Sequence, residues 1–185
     1  IVGDSAFILT DSTQLRVYDG GAYLEVETIP VADLMDDLSN GLAKFAVVDG
    51  KVIADQAYYH SSRLRVLRLP EGIKEIGQFS FARSSVTVLT VPEGVTDIAY
   101  GAFYHCDYLL DVTLPETVMN VEPKAFDYTA WVEDFLNGGS SVEGDFLIEG
   151  GVLVAYRGSG ETVEVPEGVR VIAGEVFADH TEITA

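Results

Sequence analysis

The sequence predicts a solenoid. Short parallel strands fall one to each coil of 22–23 residues, two β-hairpins are inserted, and one short helix lies near the N-terminus. The rest is mostly β and irregular. Two observations carry this. First, a phrase recurs: Leu67-Arg68-Leu69-Pro70-Glu71-Gly72-Ile73 returns as Leu89-Thr90-Val91-Pro92-Glu93-Gly94-Val95, as Val112-Thr113-Leu114-Pro115-Glu116-Thr117-Val118 and as Val163-Glu164-Val165-Pro166-Glu167-Gly168-Val169. Second, a phenylalanine follows each proline at a constant distance (Phe81, Phe103, Phe126, Phe177), so both series step by 22, 23 and 51 residues. Self-similarity of that period marks units that bury their apolar side only by stacking on neighbours.

Within one unit, Leu67 and Leu69 flank Arg68, so their side chains share the inward face of a strand. The following proline has no N–H for a ladder and ends the strand. Glu-Gly then turns the chain, glycine permitting a positive φ. Ile76, Ile98, Val121 and Ile172 re-enter the core on the return limb. The phenylalanines are expected to stack as an offset aromatic spine, with centroids ~4.5–7 Å apart.

The 51-residue step exceeds one unit by about 28 residues, which places an insertion at about 129–160. Inside it, Gly150-Gly151 between apolar runs predicts a tight hairpin over 146–154. A near copy, Phe45 to Ile53, has Asp49-Gly50 as its expected turn.

Residues 1–60 follow the pattern poorly and are expected to hold a degenerate coil, a short helix and the first hairpin. Phe7 and Leu15 keep the spacing of Phe81 and Leu89. Val31, Leu34, Met35 and Leu38 stand at helical spacing after Pro30, predicting the helix. Residues 61–185 are the regular repeats. Ile183 aligns with Leu109, as though a further strand begins there. The whole is expected to be one solenoid module cut from a longer array, whose open edge could associate end to end with another copy.

Eleven Lys and Arg stand against thirty Asp and Glu, a formal net charge of −19. That field repels nucleic acid and anionic lipid, so neither is expected as a partner. No apolar run is long enough to insert into a membrane. The single cysteine, Cys106, cannot close an internal disulfide and reads as a buried structural thiol.

The registered units resemble the BspA-like class of bacterial leucine-rich-repeat surface proteins. The clearest copy runs from Val91-Pro92-Glu93-Gly94-Val95 through Ile98 to Ala102-Phe103-Tyr104-His105-Cys106. The segment Phe146 to Gly160 and the aromatic Trp131 after Thr129 are similar to recurrent elements of that class. The resemblance covers roughly residues 61–185 and implies a leucine-rich-repeat solenoid. It also implies an extracellular or cell-surface location and a role in adhesion or recognition. It brings no catalytic residues.

Strand alternation makes two outward columns: Val66, Val88, Asp111 and Thr162; and Arg68, Thr90, Thr113 and Glu164. Exposed sheet columns are where solenoids recognise partners, so these eight are the candidate partner-binding residues, for a protein or glycan that could be host-derived. Plain solvated strand residues are the competing account, since Thr and Val suit any strand. The turn glutamates Glu71, Glu93, Glu116 and Glu167 could bridge calcium, but no calcium-loop motif accompanies them, and a solvated acidic ridge is the simpler account. Neither the three histidines nor any nucleophile motif has a metal-ligand or catalytic arrangement, so no cofactor and no enzyme is expected. The expected function is non-catalytic surface binding; the alternative is a rigid acidic spacer that projects another domain.

Overall fold

The computed structural model describes residues 72–139 and 141–184 throughout. Before them it describes residues 5–9, 15–19, 22–25, 43–45, 48–49, 52–53, 55–56, 58–61 and 66–69. In chain order the strands begin with β1 (Ser5–Leu9), β2 (Leu15–Asp19), β3 (Ala22–Glu25), β4 (Ala43–Phe45), β5 (Val48–Asp49), β6 (Val52–Ile53) and β7 (Val66–Arg68). They continue as β8 (Glu75–Ile76), β9 (Val88–Thr90), β10 (Asp97–Ile98), β11 (Asp111–Thr113) and β12 (Asn120–Val121). Helix α1 (Ala130–Leu136) follows, then β13 (Phe146–Glu149), β14 (Val152–Tyr156) and β15 (Val171–Ile172).

Each coil has three sides, and each side is held to its neighbours by a different ladder. The first is the parallel sheet β4-β7-β9-β11, in which Ala43, Val66, Val88 and Asp111 fall in one register row. Alternation buries Leu67, Leu89 and Val112 behind it, and Leu69, Val91 and Leu114 follow them inward. The second column is β6-β8-β10-β12, with Ile53, Ile76, Ile98 and Val121 in register and all buried.

The third side is a ladder of turns. Tyr58 N–H donates to Ser80 O at 2.6 Å, Phe81 N–H to Ala102 O at 2.9 Å and Phe103 N–H to Ala125 O at 2.8 Å. Between these rungs the chain bonds to itself, Ser80 N–H to Gly77 O and Ala82 N–H to Phe79 O. Aiming alternate N–H groups along the stack requires a left-handed residue on either side of each inward ring. Phe79 (φ 50°) and Arg83 (φ 59°) flank Phe81, and Lys124 (φ 62°) and Tyr128 (φ 57°) flank Phe126. Such residues cost roughly 1–2 kcal/mol each outside glycine, which the repeated rungs and buried rings offset.

The spine forms over a portion of its expected length. Rings of Tyr58, Phe81, Phe103 and Phe126 stack at 5.3, 5.3 and 5.4 Å, within 7° of parallel. Trp131 closes it, its ring edge-on to Phe126 at 5.6 Å. Phe177, expected as a further ring of the spine, does not join it and packs on Tyr156 at 5.3 Å instead. The insertion explains this, because Trp131 occupies the far side of Phe126.

The same insertion interrupts the first sheet. After Thr129 the chain enters α1, and Trp131 N–H reaches Leu109 O at 2.6 Å, where the next coil should begin its approach to a strand. Thr129 caps this helix, its hydroxyl accepting from Val132 N–H at 3.3 Å and donating to Phe126 O at 2.8 Å. A helix cannot pair with the following pass. Thus Val163-Glu164-Val165, expected as a strand, is irregular, and Val165 is 40% exposed. The hairpin β13-β14 continues the second kind of column, β14 pairing in parallel with β15. Gly150 sits at φ 54° in its turn, where a Cβ would collide with the Leu114 carbonyl oxygen.

Arg157 fastens the insertion together. Its guanidinium donates to the carbonyls of Gly144 (2.9 Å), Phe135 (2.7 Å) and Val142 (3.1 Å) and lies 4.3 Å from the Phe135 ring centroid.

Three further expectations change or fall outside. Phe45 belongs to β4 in the first sheet rather than to the hairpin, and the pairing Asp49↔Val52 puts Asp49 in a strand rather than in the turn. Strands β1, β2 and β3 pair antiparallel in the order β1-β2-β3, where a degenerate coil was expected, and two glycines stand between β2 and β3 in the sequence. The helix expected over 31–38 lies outside the described residues; the described helix is α1 in the insertion.

Candidate binding surface

The strand face is built by alternation. In β9 and β11 the middle residue is buried and the flanking ones are exposed, so Val88, Thr90, Asp111 and Thr113 stand outward in two adjacent rows. Val66 and Arg68 occupy the same rows in backbone register with Val88 and Thr90; their side chains lie outside the described residues. Thr162 and Glu164 are not buried, but the columns lose them, since their segment pairs with no strand of this sheet. The surface brought together is therefore centred on Val88, Thr90, Asp111 and Thr113, with neighbouring strands ~4.8 Å apart. Val88 is 44% exposed, an apolar β-branched side chain set among two hydroxyls and a carboxylate.

The turns after this face behave as the glycines foretell. Gly72, Gly94 and Gly168 take φ of 88°, 94° and 88°. In the third copy Thr117 replaces glycine and works between coils, accepting from Gly94 N–H at 3.0 Å and donating to Val95 O at 2.9 Å. Glu93, Glu116 and Glu167 are solvated, and Glu71 lies outside the described residues. Among the described residues no three Asp, Glu, His or Cys side chains converge on a cation position.

His105 and Cys106 face opposite ways. The Cys106 thiol is sealed in the core, donating to Phe81 O at 3.1 Å, and burial pushes it up to about 11. The His105 ring turns outward to the Asp107 carboxylate at 3.2 Å. His180 likewise meets Glu182 at 2.9 Å, and Glu182 is lowered by a backbone hydrogen bond first and by His180 second.

A second exposed surface escaped the alternation rule. The outer left-handed residues of successive coils are His60, Arg83, His105 and Tyr128, two residues past each spine ring. Beside them Phe79 meets Tyr100 and Tyr104 edge-on at 5.3 and 6.3 Å, and Tyr104 meets Tyr128 at 5.5 Å. The signal was available, for these residues recur at 22–23-residue spacing, but strand logic says nothing of a turn.

Comparison with known proteins identifies the repeat. A family model described as the BspA type leucine-rich-repeat region matches residues 46–142 in six copies, just over half of the chain. Among solved structures, a leucine-rich-repeat protein from Bacteroides ovatus is 15% identical over 66% of this chain and 43% of its own, with a TM-score of 0.31. A leucine-rich cell-surface protein from Faecalibacterium prausnitzii is 16% identical over 99% of this chain and 52% of its own, with a TM-score of 0.37. The matched region thus spans about half of each of those proteins. No curated protein matches this chain.

Proposed function

The chain belongs to the BspA-type leucine-rich-repeat family, and from that premise we propose that it is a non-catalytic binding module of an extracellular or cell-surface protein. It adheres to a protein or glycan through the strand face. The observation carrying this is the outward set Val88, Thr90, Asp111 and Thr113, whose side chains are exposed while Leu89 and Val112 between them hold the fold. Recognition can therefore vary there without cost to the core. Among the described residues no helix is long and apolar enough to cross a membrane.

The test immobilises the chain and presents extracellular-matrix proteins, mucins and glycans, with a Thr90→Arg/Thr113→Arg variant alongside. Saturable binding that the variant loses at an unchanged melting temperature is the expected result. Equal binding by both proteins would remove the strand face from the account. Silence across the panel would favour the rigid spacer, for which the ladders that tie the coils before the insertion are the supporting feature.

A further inference from the structure

Where the turn ridge runs out against α1, an open groove of about 550 Å³ lies at the corner leading into the strand face. The Tyr128 and His105 rings form one wall, stacked at 4.5 Å and 12°. Leu110, 64% exposed, supplies apolar surface, and Asp107, Glu133 and Asp134 bring carboxylates to the rim. Among the described residues no lysine or arginine lines it.

We propose that this groove receives a cationic side chain, arginine foremost, from a partner polypeptide. An aromatic ring beside carboxylates suits a guanidinium, which stacks by its plane and donates by its fork. The chain uses the same chemistry internally, where Arg157 lies over Phe135 while donating to carbonyls. A neutral sugar could stack on Tyr128, but it would bring no charge to the Glu133 and Asp134 carboxylates, whereas Asp107 already meets the His105 ring at 3.2 Å. The net charge of −19 would draw a basic segment toward the molecule before contact.

The probe is a fluorescent peptide of alternating arginine and glycine, titrated with the whole chain at physiological ionic strength. Tyr128→Leu should weaken binding about five-fold while Tyr128→Phe retains it. Asp107→Asn/Asp134→Asn should weaken it about ten-fold or more. The charge-matched Glu161→Gln/Glu167→Gln, two exposed carboxylates that do not line the groove, should change it less than about two-fold. Melting temperatures of all variants establish that each is folded. Equal losses in the two double variants would reduce the effect to a diffuse field and overturn the site. So would an unaltered Tyr128→Leu, or no saturable binding. Binding of an N-acetylglucosamine tetrasaccharide that depends on Tyr128, with none of the peptide, would make it a glycan site and equally refute the proposal.

Discussion

The Cys106 sulfur lies 3.4 Å from the Ser84 hydroxyl of the adjacent coil, and both groups are shut away from solvent. With Thr129 they occupy one phase of the repeat, three residues past successive spine rings. Each polar atom is satisfied by a backbone carbonyl or a neighbour in the stack.

That burial fixes the thiol's chemistry. With the thiol raised to about 11, almost no thiolate exists at pH 8, and the sulfur is closed off from solvent. Native protein should react with a disulfide reagent only at its rate of opening, and unfolded protein at once. Labelling of the native state at the rate of a free thiol would contradict the burial.

Ser80 is the misfit of its own column. Ala102 and Ala125 stand at the equivalent position, whereas the Ser80 hydroxyl is fully buried and has no hydrogen-bond partner among the described residues. Ser80→Ala removes that orphan and leaves the backbone rung to Tyr58 intact. It should stabilise the protein by about 1 kcal/mol in denaturant titration.

Arg157→Lys should act as a severe change despite keeping the charge. Lysine cannot reach three divergent carbonyls and cover a ring together. A loss of about 2–3 kcal/mol is expected from hydrogen bonds of this charge-assisted kind. Amide exchange should rise over residues 130–136 and 146–156 and stay unchanged in β9 and β10.

Asp127 sets a pH dependence of unusual sign. Its carboxyl is raised by partial desolvation, then by the charge of Glu175, with Asp179 and Glu133 adding to it against Lys124. A carboxyl raised on folding makes the native state bind more protons than the unfolded one, so stability falls as pH rises through its folded pKa. The penalty is complete above that value and absent below the ordinary value of 3.8. Asp127→Asn should therefore melt higher than the parent at pH 7, with the two curves converging on acidification. A constant difference across pH would count against it.

The regular coils were legible because their residues answer to one rule each: inward Leu and Val by alternation, glycine by φ, phenylalanine by phase. Trp131, which the sequence marks only through the family resemblance, closes the spine against Phe126. Helix α1 was not foreseen, since seven residues carry too little periodicity to stand out. Its marks were Thr129 before it and Asn137-Gly138 after it, and they only make sense once a strand is known to be missing. Thr162 and Glu164 were misplaced for the same reason. Phase was extrapolated across an insertion that had already replaced the partner strand. The groove beside Tyr128 depends on where α1 lies and could not be read from spacing.

The rungs on all three sides run along the stacking axis, so an end-to-end pull loads them in tension rather than in shear. Coils would then peel away singly, as a zip opens, each release lengthening the chain by about 70 Å at 3.3–3.6 Å per residue. Under the adhesive role proposed above, such a stack would yield slack in measured steps where a stiffer link snaps.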